Sequence, residues 1–141
     1  MNESIRSLRW NWILLGWFVA VALTSLFILV LAAFDVIGSV ESQAAGPWIA
    51  LSLLVAFYVA GLFVGSRVLA SPVLHGTAIG LFSLLAWLIL NLIVGEPVGE
   101  TTWRSLDAST TAMLLVTQAA AAILGARSGV CLMLRASSRE T

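Results

Sequence analysis

Long apolar runs alternate with short polar stretches along the 141 residues of the chain. An α-helix needs about 20 mainly apolar residues to cross a hydrocarbon core about 30 Å thick. Four runs have this length, and they predict transmembrane helices at about 12–34, 47–69, 72–94 and 108–134. The fourth run is uninterrupted to residue 124 and reaches 134 if it continues past Arg127. The pattern predicts an all-α polytopic membrane protein with a single integral membrane domain.

The connections between these runs differ in length. Residues 35–46 and 95–107 are polar and glycine-containing, whereas the second and third runs are joined at Ser71-Pro72. Serine followed by proline is typical of a helix N-cap and its first helical position. Short connections favour antiparallel neighbours, so we expect two antiparallel helical hairpins.

Charge gives the predicted orientation, because the chain has seven arginines and no lysine. With four spans, six arginines fall on the side of both termini, and only Arg104 falls on the other side with most of the carboxylates. Cytoplasmic loops are enriched in Arg and Lys. The sequence therefore predicts a multi-pass protein of the cell (inner) membrane with cytoplasmic N- and C-termini. The six arginines are Arg6, Arg9, Arg67, Arg127, Arg135 and Arg139.

Composition supports a membrane protein, since 60% of the residues are hydrophobic and only 10% are charged. A soluble domain carries about 25% charged residues. The net charge of zero argues against a nucleic-acid partner. The single cysteine excludes an intramolecular disulfide and a cysteine-based metal cluster. The first apolar run is longer than the core of a signal peptide, so we expect it to be a retained helix.

Small residues recur four positions apart on three of the four predicted helices. Such spacing allows helix backbones to approach closely in a membrane. The faces could pack within this bundle, which is the simpler interpretation, or against another membrane subunit. The residues are Gly61 and Gly65 on the second helix, Gly76 and Gly80 on the third, and Ala121, Gly125 and Gly129 on the fourth.

Few polar side chains occur inside the predicted spans. Thr24, Tyr58 and Gln118 fall near mid-depth when residues are counted at about 1.5 Å each. We expect them to form one hydrogen-bonded layer that joins the helices, with the lining of a transport path as the alternative.

His75 is the only histidine and falls in the first turn of the third helix. We expect a partly hydrated interfacial side chain bonded to a loop carbonyl, with a pigment or haem ligand as the alternative. One histidine cannot form a zinc site, which takes three or four protein ligands. No catalytic motif or metal site is recognisable, so the sequence predicts a protein that is not an enzyme and has no cofactor.

A weak repeat pairs each residue n with n+60. It aligns residues 60–67 with 120–127, and both segments end in Gly, a small residue and Arg. Two tandem helical hairpins would produce this pattern, although Ala and Gly also recur by chance in membrane helices.

The segments AGLFVGSR at residues 60–67 and SPVLHG at residues 71–76, followed by Gly80-Leu81, carry a resemblance. They resemble the small four-helix bacterial membrane proteins called YrzE-like, which show a similar glycine-rich helix end, short turn and Leu-His-Gly start. The resemblance covers about 40 residues. It implies a four-helix membrane fold and supplies no catalytic residues.

The function predicted from the sequence is non-enzymatic association in the bilayer. The chain would act as an accessory or assembly subunit of a larger membrane complex, or as a homo-oligomer, with other membrane subunits and lipid as its partners. A small oligomeric channel or transporter lined by the polar layer is one alternative. A pigment- or haem-binding subunit that uses His75 is another.

Overall fold

The computed structural model describes residues 9–36, 45–69, 71–93 and 108–138. Within these ranges the chain forms four helices: α1 (Trp10–Ala33), α2 (Ala45–Arg67), α3 (Pro72–Ile93) and α4 (Ala108–Ser137). All four are long and apolar enough to cross a membrane. The predictions of an all-helical fold and of four helices long and apolar enough to span a membrane are therefore confirmed. The helix ends differ from the prediction by up to three residues, and most of the two longer connections lies outside the described residues.

The described end of α1 is closed by backbone hydrogen bonds. Asp35 has a positive φ of 56°, and its N–H donates to the carbonyl of Ala32 while that of Val36 donates to Leu31. This pair of bonds is the Schellman arrangement, which satisfies carbonyls that lack partners in the last helical turn. A helix end of this kind needs no polar side chain to be stable in a weakly polar environment.

The most extensive helix contact joins α2 and α4. A Cβ added to Gly61 would collide with the carbonyl oxygen of Ala122, and one added to Gly125 would collide with that of Tyr58. One turn further on, Gly65 meets Ala126 in the same manner. Residue numbers rise together along the contact, so the two helices run in the same direction. Their backbones touch because glycine leaves no side chain between them.

The contacts of this crossing are reciprocal at an offset of 64 residues. Gly61 with Ala122 corresponds to Gly125 with Tyr58, and Gly65 with Ala126 corresponds to Gly129 with Leu62. The repeat predicted from the sequence pairs Gly65 with Gly125, at an offset of 60. The packing pairs Gly61 with Gly125 instead, so the helices are related one turn away from the register that the sequence suggested.

Helix α3 packs against α4 in the opposite direction. A Cβ at Gly76 would lie 2.6 Å from Cα of Ile123, and one at Gly80 would lie 2.8 Å from Cα of Ala119. Helix α4 therefore has backbone contact with two neighbours.

Helix α1 completes the bundle through side chains. Trp12 packs against Phe63 of α2 with ring centroids 6.0 Å apart, and Trp17 packs edge-on against Phe82 of α3 at 5.1 Å. The core between the helices is formed mainly by alanine with a few larger residues, of which Phe57, Ile13 and Ile79 are the largest apolar ones. Small core residues are the usual means of close helix packing in a bilayer.

We predict that Gly125→Ala destabilises the fold, because the added methyl group would collide with the Tyr58 carbonyl and force α2 and α4 apart. Overpacking of this kind typically costs about 1–3 kcal/mol. Gly46→Ala in α2 is the matched control, since nothing lies within 4 Å of a Cβ added there. The measurement is the unfolding free energy in mixed micelles of a mild detergent and dodecyl sulfate. Equal stability of the two variants would contradict the backbone contact.

Candidate functional site

The seven predicted small-residue positions all lie in contacts between helices of this one chain. Gly61 and Gly65 face α4, Gly76 and Gly80 also face α4, and Gly125 and Gly129 face α2. Ala121 is buried at 4% exposure. These faces are therefore occupied inside the bundle and are not exposed to a partner. Of the two interpretations left open by the sequence, the described contacts correspond to internal packing.

Helix α1 has a small-residue pair that the sequence analysis did not identify. Gly16 and Ala20 are buried, and a Cβ added to Gly16 would lie 2.6 Å from Cγ2 of Val64 and 3.0 Å from Cδ1 of Ile79. Their spacing of four residues follows the same pattern as the other helices. The pair marks the position where α1 meets both α2 and α3.

Gln118 is buried at 8% exposure and bonds to α3. The hydroxyl of Ser83 donates to Oε1 of Gln118 at 3.0 Å. A side-chain hydrogen bond between membrane helices typically contributes about 0.6 kcal/mol. The pairing of Ser83 with Gln118 was not predicted from the sequence.

The predicted layer of Thr24, Tyr58 and Gln118 does not form in this structure. The Thr24 hydroxyl donates to the carbonyl of Ala20 in its own helix. At the offset of 64 residues that relates α2 to α4, Tyr58 lies level with Ala122. Ala122 is four residues, or about 6 Å, along α4 from Gln118. Counting depth along isolated spans could not give the relative heights of the helices. Tyr58 and Gln118 therefore lie at different heights in the bundle, and no hydrogen bond joins the three side chains to one another.

His75 is fully buried, which corrects the prediction of a partly hydrated side chain. Its Nδ1 lies 3.1 Å from the carbonyl oxygen of Ser71. This is the predicted bond to a loop carbonyl. The unpredicted partner is on another helix, since the backbone N–H of Arg9 donates to Nε2 at 3.3 Å. Arg9 is the N-cap residue of α1 and has no side-chain capping bond. The imidazole thus ties the start of α1 to the start of α3.

These two bonds fix the hydrogen on the ring. Because the Arg9 N–H is a donor, Nε2 must accept with its lone pair, and Nδ1 carries the hydrogen that it donates to Ser71. Coordination of a haem or pigment metal would need one of these two nitrogens. Either choice would break a bond that holds a helix start in place.

The Ser71 carbonyl explains why the third helix begins as it does. It accepts from the N–H groups of Leu74 and His75 as well as from the imidazole. Ser71 has a positive φ of 51°, which differs from the extended conformation of a usual N-cap serine. The Ser71 carbonyl therefore accepts both the first backbone N–H groups of the helix and the imidazole N–H.

Two open apolar grooves flank the half of α4 that precedes its glycines. The first, about 420 Å³, lies between α2 and α4 and includes Ala50, Leu54, Met113 and Gln118. The second, about 460 Å³, lies between α3 and α4 and includes Leu84, Trp87, Ala112 and Val116. Helix α4 is therefore close-packed near Gly125 and stands clear of both neighbours near Ala112.

Charged groups are concentrated at one end of the bundle. Within the described ranges these are Arg9, Arg67, Arg127 and Arg135, whereas Asp35 follows the opposite end of α1. We call the end of the bundle where these four arginines lie the arginine end. Among the described residues no group of three His, Cys, Asp or Glu side chains could hold a metal ion. The features that the described residues offer are the two apolar grooves beside α4 and the individual hydrogen bonds of His75 and Gln118.

We predict that His75→Phe loosens the start of α1. An aromatic ring is kept, but the part-buried Arg9 N–H loses its acceptor, and a buried donor without a partner typically costs about 1–3 kcal/mol. Amide hydrogen exchange of residues 9–13 should become faster. Thr77→Val is the control, because that hydroxyl bonds only to the Val73 carbonyl in its own helix. Unchanged exchange in the His75 variant would show that the bond does not hold α1.

We also predict energetic coupling between Ser83 and Gln118. In a double-mutant cycle, Ser83→Ala and Gln118→Leu should be non-additive by about 0.6 kcal/mol, and at most about 1.7. Thr24→Ala combined with Gln118→Leu should be additive, since Thr24 bonds within its own helix. Coupling of Gln118 to Thr24 instead of Ser83 would favour the layer predicted from the sequence.

No protein-family model, no curated protein and no solved structure matches this chain.

Proposed function

We propose that the chain is a non-enzymatic integral membrane protein that acts by helix–helix association, as an accessory or assembly subunit of a larger membrane complex or as a homo-oligomer. The observation that carries this proposal is the pair of apolar grooves beside α4. The small-residue faces already pack against other helices of the bundle. A partner would therefore contact the outer surface of the bundle. The grooves lie on that surface and are lined almost entirely by apolar groups.

The histidine and the polar side chains favour this function over the two alternatives. His75 has both ring nitrogens bonded to backbone groups, which gives a pigment or haem ligand no specific support. Gln118 and Thr24 have partners within the chain and do not follow one path through the bundle. A channel formed between several copies is the remaining alternative.

The proposed placement is a multi-pass protein of the cell (inner) membrane, built as two antiparallel hairpins with both termini cytoplasmic. Support comes from the arginine end, where all four described arginines lie, with the described carboxylate at the opposite end. An excess of arginine is typical of the cytoplasmic side. Reporter fusions after residue 141 and within residues 70–72 should report the cytoplasm, and fusions near residues 41 and 99 the exterior. A C-terminus outside the cell would contradict this placement.

Copurification tests the association itself. The full chain is extracted from its native membrane in a mild detergent, and its mass and its stoichiometric partners are determined. We expect a complex with another membrane protein or with further copies of the chain. An isolated monomer with no partner at native expression levels would contradict the proposal.

Groove-filling variants locate the contact. Ala50→Trp fills the α2–α4 groove and Ala112→Trp fills the α3–α4 groove, and at least one should reduce recovery of the complex. Leu29→Trp on α1 is the control, because Leu29 is 67% exposed and lies outside both grooves. Equal recovery of all three variants would show that the grooves are not the contact.

A further inference from the structure

Helix α4 extends beyond the other helices at the arginine end. In the α2–α4 register, Arg67 at the end of α2 lies level with Cys131. Helix α4 continues to Ser137, which is six residues or about 9 Å further. Every residue from Cys131 to Ser137 is exposed. We call residues 131–137 the α4 extension.

Apolar side chains of the α4 extension project from much of its circumference. Leu132, Met133 and Leu134 are 54%, 46% and 60% exposed, and three consecutive helical positions cover about 200° of the helix circumference. A partner on one side could not cover all three. A lipid environment could, which keeps this part of α4 at the membrane boundary.

Two arginines share one face of this helix end. Arg127, Cys131 and Arg135 follow at intervals of four residues, so they lie in one row. Arg127 lies two positions, about 200°, beyond Gly125, which faces α2. Arg127 therefore points away from α2, and Arg135, ten positions beyond Gly125, is turned about 80° from the direction of that contact. Within the described ranges the only carboxylate is Asp35, so neither arginine has an acidic partner there.

We propose that Arg127 and Arg135 bind the phosphate of an anionic phospholipid headgroup above Cys131. The two arginines are about 12 Å apart along the axis, and the small side chain between them leaves room for a phosphate that both guanidinium groups approach. Guanidinium groups bind phosphate oxygens in a bidentate manner. Cys131 is level with the end of α2, and the exposed Leu132 and Leu134 place lipid beside the site. Charge complementarity thus selects an anionic lipid as the occupant.

Native mass spectrometry of the full chain tests this site. The protein is equilibrated with equal amounts of phosphatidylglycerol and phosphatidylcholine that carry the same acyl chains, and the ratio of bound lipids is measured. A basic residue near an anionic surface contributes about a fivefold preference. We expect Arg127→Gln and Arg135→Gln each to lower the ratio about fivefold, and the double variant about 25-fold.

Arg67→Gln is the matched control, because it removes one positive charge at the depth of Cys131. Arg67 lies two positions beyond Gly65, about 200° away from the face that meets α4. Its ratio should stay within about twofold of the wild type, because Arg67 lies on the face of α2 opposite α4 and electrostatic attraction falls off within a Debye length of about 10 Å. A loss equal to that of Arg127→Gln would overturn the site in favour of diffuse surface charge.

Three further measurements complete the test. Cys131→Phe keeps all charges but fills the space between the arginines, so it should lower the lipid ratio, and an unchanged ratio would overturn the proposed position. Millimolar inorganic phosphate should not displace the lipid, and displacement would identify a site for soluble phosphate instead. Melting temperatures of all variants should match the wild type, since the substituted side chains are exposed.

Discussion

The contact of the α2 and α4 backbones at Gly61, Gly65, Gly125 and Gly129 is the constraint on which the rest of the bundle depends. In lipid, apolar side chains gain little by leaving the solvent, so helices associate through close packing and a few polar bonds. Glycine allows that packing at the shortest possible separation. Once α2 and α4 are in contact, the direction and height of both are fixed, and α3 adds to the other side of α4 through Gly76 and Gly80.

The number of helices and their small-residue faces could be predicted from the sequence, because apolar length and four-residue spacing are local properties. Relative heights could not be predicted. Tyr58 and Gln118 were assigned the same depth by counting within separate spans, whereas the contact at Gly125 places them about one turn apart. The burial of His75 was also missed, because its acceptor role depends on Arg9, 66 positions earlier in the chain. Sequence spacing contains no information about such a contact.

Polar groups in this bundle are used singly and at defined places. Ser83 with Gln118 links α3 to α4 within one turn of the contact between Gly80 and Ala119, and His75 links α1 to α3 where α1 has no capping side chain. Short hydroxyl side chains elsewhere, such as Thr24, return to a carbonyl of their own helix, which satisfies the hydroxyl without linking two helices.

The central position of α4 has a consequence for biosynthesis. Domains and helices emerge from the ribosome in chain order, and α4 follows both of the helices against which it packs, α2 and α3. Until α4 enters the bilayer, the glycine faces of α2 and α3 have no partner, although both helices can already span the membrane. The nascent chain is thus inserted before it is assembled, and during that interval its uncovered glycines are available to other membrane helices or to the proteases and chaperones that survey unfinished proteins.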